Sequence, residues 1–140
     1  MAMRIGKIES ATEQLSWAIR LLVDHQAPIP AITLAGAAEE MLGQAAGTES
    51  SLNDLKSHFG SRYSIPQAIL TQQHLNRAKN WLKHWSPGID EECAEFDLEE
   101  EATQYIARGL SNLSVLGKPL PSEEPKFMSW VGTRRPRNEA

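Results

Sequence analysis

The chain has 140 residues, 41% of them apolar and 23% charged, and a formal net charge of −4. That length suits one domain with a sizeable core rather than two, and the composition excludes wholesale disorder. The acidic balance excludes broad electrostatic attraction to nucleic acid while leaving room for a local basic patch.

No uncharged apolar run approaches the length of a bilayer span, and "MAMRIGKIES" has no apolar core followed by a small-residue cleavage site. A cytoplasmic location with no membrane partner is therefore expected. The single cysteine, Cys93, permits no intrachain disulfide, and no Cys or Cys/His pair stands at zinc-ligand spacing. It reads as a loop thiol.

The first periodic segment is "KIESATEQLSWAIRLLVDHQ", in which Ile8, Ala11, Leu15, Ala18 and Leu22 fall three and four apart. This spacing predicts an amphipathic helix ending near His25, with Ser10 and Glu13 spaced as a capping box. After "QAPIP", Pro30 is placed to open a second helix, "AITLAGAAEEMLGQAAG", because a first-turn proline lacks only an N–H that would go unpaired. Its predicted buried stripe is Ala31, Leu34, Ala35, Ala38, Leu42 and Ala45, with Gly47 as the stop. Side chains this small admit close approach by another backbone. Glu39 borders the stripe and Glu40 faces solvent. Gly36 and Gly43 are spaced for helix contact and lack the order of a phosphate loop.

"LNDLKSHFG" has room for about two turns of helix. Pro66 is predicted to open a third long helix that runs through "LNRAKNWLKHW". "SPGIDEECAEF" reads as an acidic loop, and "DLEEEATQYIARGLSNLSVLG" as a fourth long helix. Asp97 and Glu100 are spaced as its capping box, Leu98, Ala102, Tyr105, Ile106, Gly109 and Leu113 form its apolar face, and Gly117 ends it. The remainder, "KPLPSEEPKFMSWVGTRRPRNEA", is rich in proline and charge. It reads as an extended tail that pairs Phe127 and Trp130 with "RRPR", either a flexible end or a segment that docks on a protein partner or a second subunit.

No segment alternates like a strand, and there is no internal repeat. The expected fold is all-α: an antiparallel bundle of about four helices with one short extra helix over residues 1–117, followed by an extended C-terminal tail over 118–140.

Advancing the third helix by about 100° per residue sorts its side chains. Leu70, His74, Ala78, Trp81, Leu82 and Trp85 fall on a core arc. Gln73, Arg77, Asn80 and His84 line up at i, i+4, i+7 and i+11, while Lys79 and Lys83 project elsewhere. An Arg followed after a few residues by a His, near the end of a long helix in a small bundle, resembles the HEPN (higher eukaryotes and prokaryotes nucleotide-binding) superfamily. Its motif is Arg, four to six residues, then His, usually with a polar residue directly after the Arg. "RAKNWLKH" places six residues between Arg77 and His84 but has Ala78 after the Arg. "KNWLKH" keeps the polar neighbour, Asn80, yet has Lys79 in the place of the Arg. "AITLAGAAEEMLG", "NWLKH" and "EEEATQYIARGLSNL" are also similar to segments of uncharacterised bacterial helical proteins.

The resemblance implies a metal-independent ribonuclease or RNA-binding protein whose paired motifs meet across a homodimer. In that reading His84 shuttles a proton, Arg77 clamps a phosphate and Asn80 orients either group, with Lys79 as the alternative to Arg77. A lysine is the weaker clamp because its ammonium lacks the planar fork. The competing reading is a non-catalytic dimerisation or protein-interaction module. Its polar row is then ordinary surface, with Arg77 paired to Glu39 or Glu40 and His84 capping exposed carbonyls. No metal and no cofactor are expected, because no Glu has a His three residues later, and His25, His58 and His74 are scattered over separate segments.

Overall fold

A computed structural model describes residues 1–63, 75–85, 88 and 91–134. These residues are all-α, with six α-helices, one 3₁₀ turn and no strand.

Helix α1 spans Lys7–Val23 and buries Ala11, Leu15, Ala18, Ile19 and Leu22. This is the predicted stripe, with Ile19 joining it and Ile8 half-buried at its edge. Ser10 is not a cap. The helix begins earlier, with Gly6 at its N-cap, and the Ser10 hydroxyl donates back to the Gly6 carbonyl at 2.8 Å from inside the helix.

Helix α2, Pro28–Ala46, carries both Pro28 and Pro30 in its first turn and stops at Gly47, whose φ of +64° suits a residue without a Cβ. It packs most extensively against α1 and against the helix Leu98–Val115, so it is the central element. Ala31, Ile32, Ala35, Ala38 and Leu42 are buried, together with Gly36 and Glu39. Ala45 is exposed rather than buried. The small-residue face is thus consumed inside the chain.

A 3₁₀ turn, Gly47–Glu49, leads into α3, Ser51–Tyr63, which at 13 residues is longer than the two turns expected. The start of the predicted third long helix, with Pro66, Leu70, Gln73 and His74, lies outside the described residues. Its described portion is α4, Arg77–Lys83, only seven residues long. Ala78 is buried on the expected arc, and Trp81 and Leu82 are half-buried. Trp85 is corrected to an exposed position (64%), because the helix ends at Lys83 and His84 turns to extended backbone (φ −119°, ψ 152°).

Helix α5 spans Leu98–Val115, and the Asp97 carboxylate accepts the Glu100 N–H at 3.1 Å, as the capping box predicts. Ala102, Tyr105, Ile106, Gly109 and Leu113 are buried. Gly109 lets Leu15 of α1 sit where a Cβ would otherwise come within 3.0 Å of it. The helix closes in a Schellman motif. The Lys118 N–H bonds the Leu113 carbonyl, the Gly117 N–H bonds that of Ser114, and Gly117 takes a φ of +67°.

The segment beyond 118 is not extended throughout. Glu124–Arg134 form helix α6, with Pro125 in its first turn, and Phe127 is 1% exposed within the core. Ion pairs fasten it to the rest of the chain, Lys126 to Asp24 at 3.0 Å and Arg134 to Glu99 at 3.3 Å. Phe127 therefore docks on its own chain rather than on a partner. Part of "RRPR" lies outside the described residues.

Candidate functional site

The polar row of α4 is not one surface. Arg77 opens the helix, with its guanidinium 3.5 Å from Glu91 and its Cζ 4.9 Å from the centre of the Phe96 ring. Trp81 reinforces this attachment by donating its indole N–H to the Glu91 carbonyl at 2.9 Å and meeting Phe96 edge-on at 6.0 Å. Arg77 thus fastens the acidic loop to α4. Asn80 lies half-buried in the middle of the helix. His84 lies beyond the helix end, exposed, its backbone N–H bonded to the Asn80 carbonyl at 3.0 Å.

Lys79 departs most from its expected position. It is only 6% exposed, and it occupies the place beside α2 that the competing reading gave to Arg77. Its Nζ lies 3.4 Å from Glu40 and 3.9 Å from Glu39. Gly36 makes room for it, since a Cβ there would stand 2.5 Å from the Lys79 Cδ. The Lys79 backbone N–H, free because it belongs to the first turn of a helix, donates to the Tyr105 hydroxyl at 3.2 Å.

Arg108 of α5 completes a buried charged cluster. Its guanidinium reaches Glu39 at 3.6 Å, Asn76 Oδ1 at 3.0 Å and the Leu75 carbonyl at 3.3 Å, and it stacks 4.6 Å over the Tyr105 ring. Asn112, one turn on, donates to the Glu39 carbonyl at 3.4 Å and accepts the Ser51 N–H that opens α3 at 2.8 Å. One polar layer therefore joins α2, α3, α4 and α5. Burial pushes the Glu39 carboxyl above its ordinary value against the opposing pull of Arg108 and Lys79. Burial likewise pushes Tyr105 up to about 12. Glu39 Oε2 and Arg108 Nε are buried without a hydrogen-bond partner among the described residues. Beside them opens a cleft of about 470 Å³ lined by Glu39, Glu40, Lys56, Asn76 and Lys79.

A larger groove, about 990 Å³, runs along the outer side of α1. Ile8, Trp17, Pro119 and Pro121 give it apolar walls, and Trp17 is 47% exposed. Arg20 stacks 4.8 Å over the Trp17 ring while pairing with Glu123 at 3.4 Å. The sequence does carry a signal for this surface. Trp17 adjoins Ala18 of the buried stripe, so it points about 100° away from the core.

Among the described residues, no three His, Cys, Asp or Glu side chains stand together as a metal site, and no helix is long and apolar enough to cross a membrane. Cys93 is exposed. No family model, curated protein or solved structure compared with this chain matches it.

Proposed function

We propose that this chain is a non-catalytic protein-interaction module, an antiparallel helical bundle that works through the groove along α1. The observation that carries the reading is the exposed Trp17 in an apolar groove of about 990 Å³. An exposed large aromatic side chain in a groove with apolar walls is a common anchor of a protein–protein contact. The Arg77–Glu91 ion pair supports it from the other side, because a guanidinium occupied by a carboxylate and an aromatic ring of its own chain is not aimed at a phosphate. Lys79 is committed in the same way, with two carboxylates at its ammonium group.

A photo-crosslinking amino acid at position 17 tests this reading in cells. Discrete protein adducts are expected from position 17 and none from a control at exposed Gln104 on α5. Equal patterns from both positions would overturn it.

The second reading is an RNA-directed, HEPN-like homodimer, and the polar cleft favours it. Lys79, the leading residue of "KNWLKH", lines that cleft together with Lys56 and Asn53. The two readings separate when wild type and His84→Ala are incubated with mixed RNA, with and without a chelator. Both proteins are expected to be inert, and chelator-resistant cleavage lost in His84→Ala would transfer the conclusion to the second reading.

A further inference from the structure

Asn76 is 6% exposed and lines the cleft of about 470 Å³ bordered by α2, α3 and the start of α4. Its Oδ1 accepts from the Arg108 guanidinium at 3.0 Å, which fixes the orientation of the amide, because only an acceptor can face that donor. The Nδ2 group is therefore the free end. It has no acceptor among the described residues and, unlike Glu39 Oε2 and Arg108 Nε, it is not sealed off, so it opens on the cleft.

A second donor comes from α3. Of the N–H groups in its first turn, that of Ser51 goes to Asn112, that of Asn53 to the Ser50 hydroxyl and that of Asp54 to the Ser50 carbonyl. The Leu52 N–H has no acceptor among the described residues, and Leu52 lines the same cleft. An open amide at a helix N-terminus favours an anion.

The charges agree. Glu39 is held between Arg108 and Lys79, and Glu40 pairs with Lys79. Lys56, on the cleft wall, has no carboxylate within ion-pair distance among the described residues, and only its longer-range field reaches Glu39. These two carboxylates and three cations leave one positive charge in surplus, and it sits at Lys56. Asp54, in the same turn of α3, is exposed and does not line the cleft.

We infer that this cleft binds a small molecule by an oxyanion, a phosphate or a carboxylate. Asn76 Nδ2 and the Leu52 N–H donate hydrogen bonds to it, and Lys56 supplies the counter-charge. The volume falls within the roughly 300–1,000 Å³ of small-molecule sites and leaves room for the body of the ligand beside its anionic group. The cleft shares no lining residue with the groove along α1, so either site can fail its test without the other.

Nitrogen–proton correlation NMR of the full chain tests it, with inorganic phosphate or acetate titrated against sodium chloride at equal ionic strength. At least one of the two anions is expected to move the Leu52 amide and the Asn76 side-chain amide saturably, with half-saturation below about 10 mM, while chloride does not. A response to phosphate alone assigns a phosphate ester, to acetate alone a carboxylate, and to both a site for either group. Lys56→Gln is expected to weaken binding by roughly fivefold with an unchanged melting temperature. Asn76→Asp keeps the oxygen that Arg108 needs, replaces the donor by a repelling oxygen, and should abolish binding. Shifts that fail to saturate with both anions overturn the site, and so does saturation that either variant leaves unchanged.

Discussion

Glu39 of α2 and Arg108 of α5 face each other at 3.6 Å with exposures of only 1% and 4%, and Lys79 of α4 completes the cluster. Two buried cations share one buried carboxylate, so each charge depends on the others for its counter-charge. Removing Arg108 leaves Glu39 facing Lys79 alone, at 3.9 Å, and takes the donor from Asn76 Oδ1 and the Leu75 carbonyl, a loss of about 3–5 kcal/mol in a poorly solvated site. Arg108→Met should lower unfolding stability in urea by roughly that amount. A loss under 1 kcal/mol would mean that water reaches the cluster freely.

The same carboxyl gives a pH signature. Desolvation raises the Glu39 pKa above its ordinary 4.5, so the folded state holds this proton more tightly than the unfolded chain does. The contribution favours folding below 4.5 and is lost as pH rises through the folded value. Glu39→Gln removes that titration. The stability of wild type minus that of Glu39→Gln should therefore fall as pH is raised from 4.5, measured by urea unfolding at each pH. A difference that rises over this window would reverse the assignment.

Gly36→Ala tests the passage of Lys79 across α2. The new methyl would stand 2.5 Å from the Lys79 Cδ, and the lysine's two carboxylate partners restrict its retreat. A cost of about 1–3 kcal/mol is expected from thermal unfolding, the ordinary size of an overpacking penalty. A stabilised variant would mean that the ammonium group is not held.

Phe127→Ala should cost about 3–5 kcal/mol, since the ring is 1% exposed and anchors α6 to the core. Limited proteolysis should then cut the segment between α5 and α6 much faster than in wild type. If both proteins are cut at the same rate, α6 does not depend on this anchor.

Asp97→Ala removes the carboxylate that accepts the Glu100 N–H at 3.1 Å. A loss of about 0.5–2 kcal/mol is expected in chemical denaturation, with restoration by Asp97→Ser or Asp97→Asn. Failure of both to restore it would assign the effect to the field of the helix dipole rather than to the cap.

The sequence by itself determined where α1, α2 and α5 run, which stripe each buries apart from Ala45 at the end of α2, and where two of them stop. Periodicity, first-turn prolines and stop glycines are local signals, and Asp97 and Gly117 each act within one turn of their own position. Only tertiary structure decided the rest. Phe127 pulls a proline- and charge-rich segment into a helix because the core supplies a site for the ring, and no local pattern announces that. Which cation of "RAKNWLKH" goes inward was likewise settled at a distance: Gly36 leaves space on α2, Glu39 and Glu40 supply the charge, and Lys79 takes the place while Arg77 turns to Glu91. Wheel geometry orders side chains around one helix, but their burial depends on the neighbour they meet, and for α4 that neighbour lies some forty residues away in the chain.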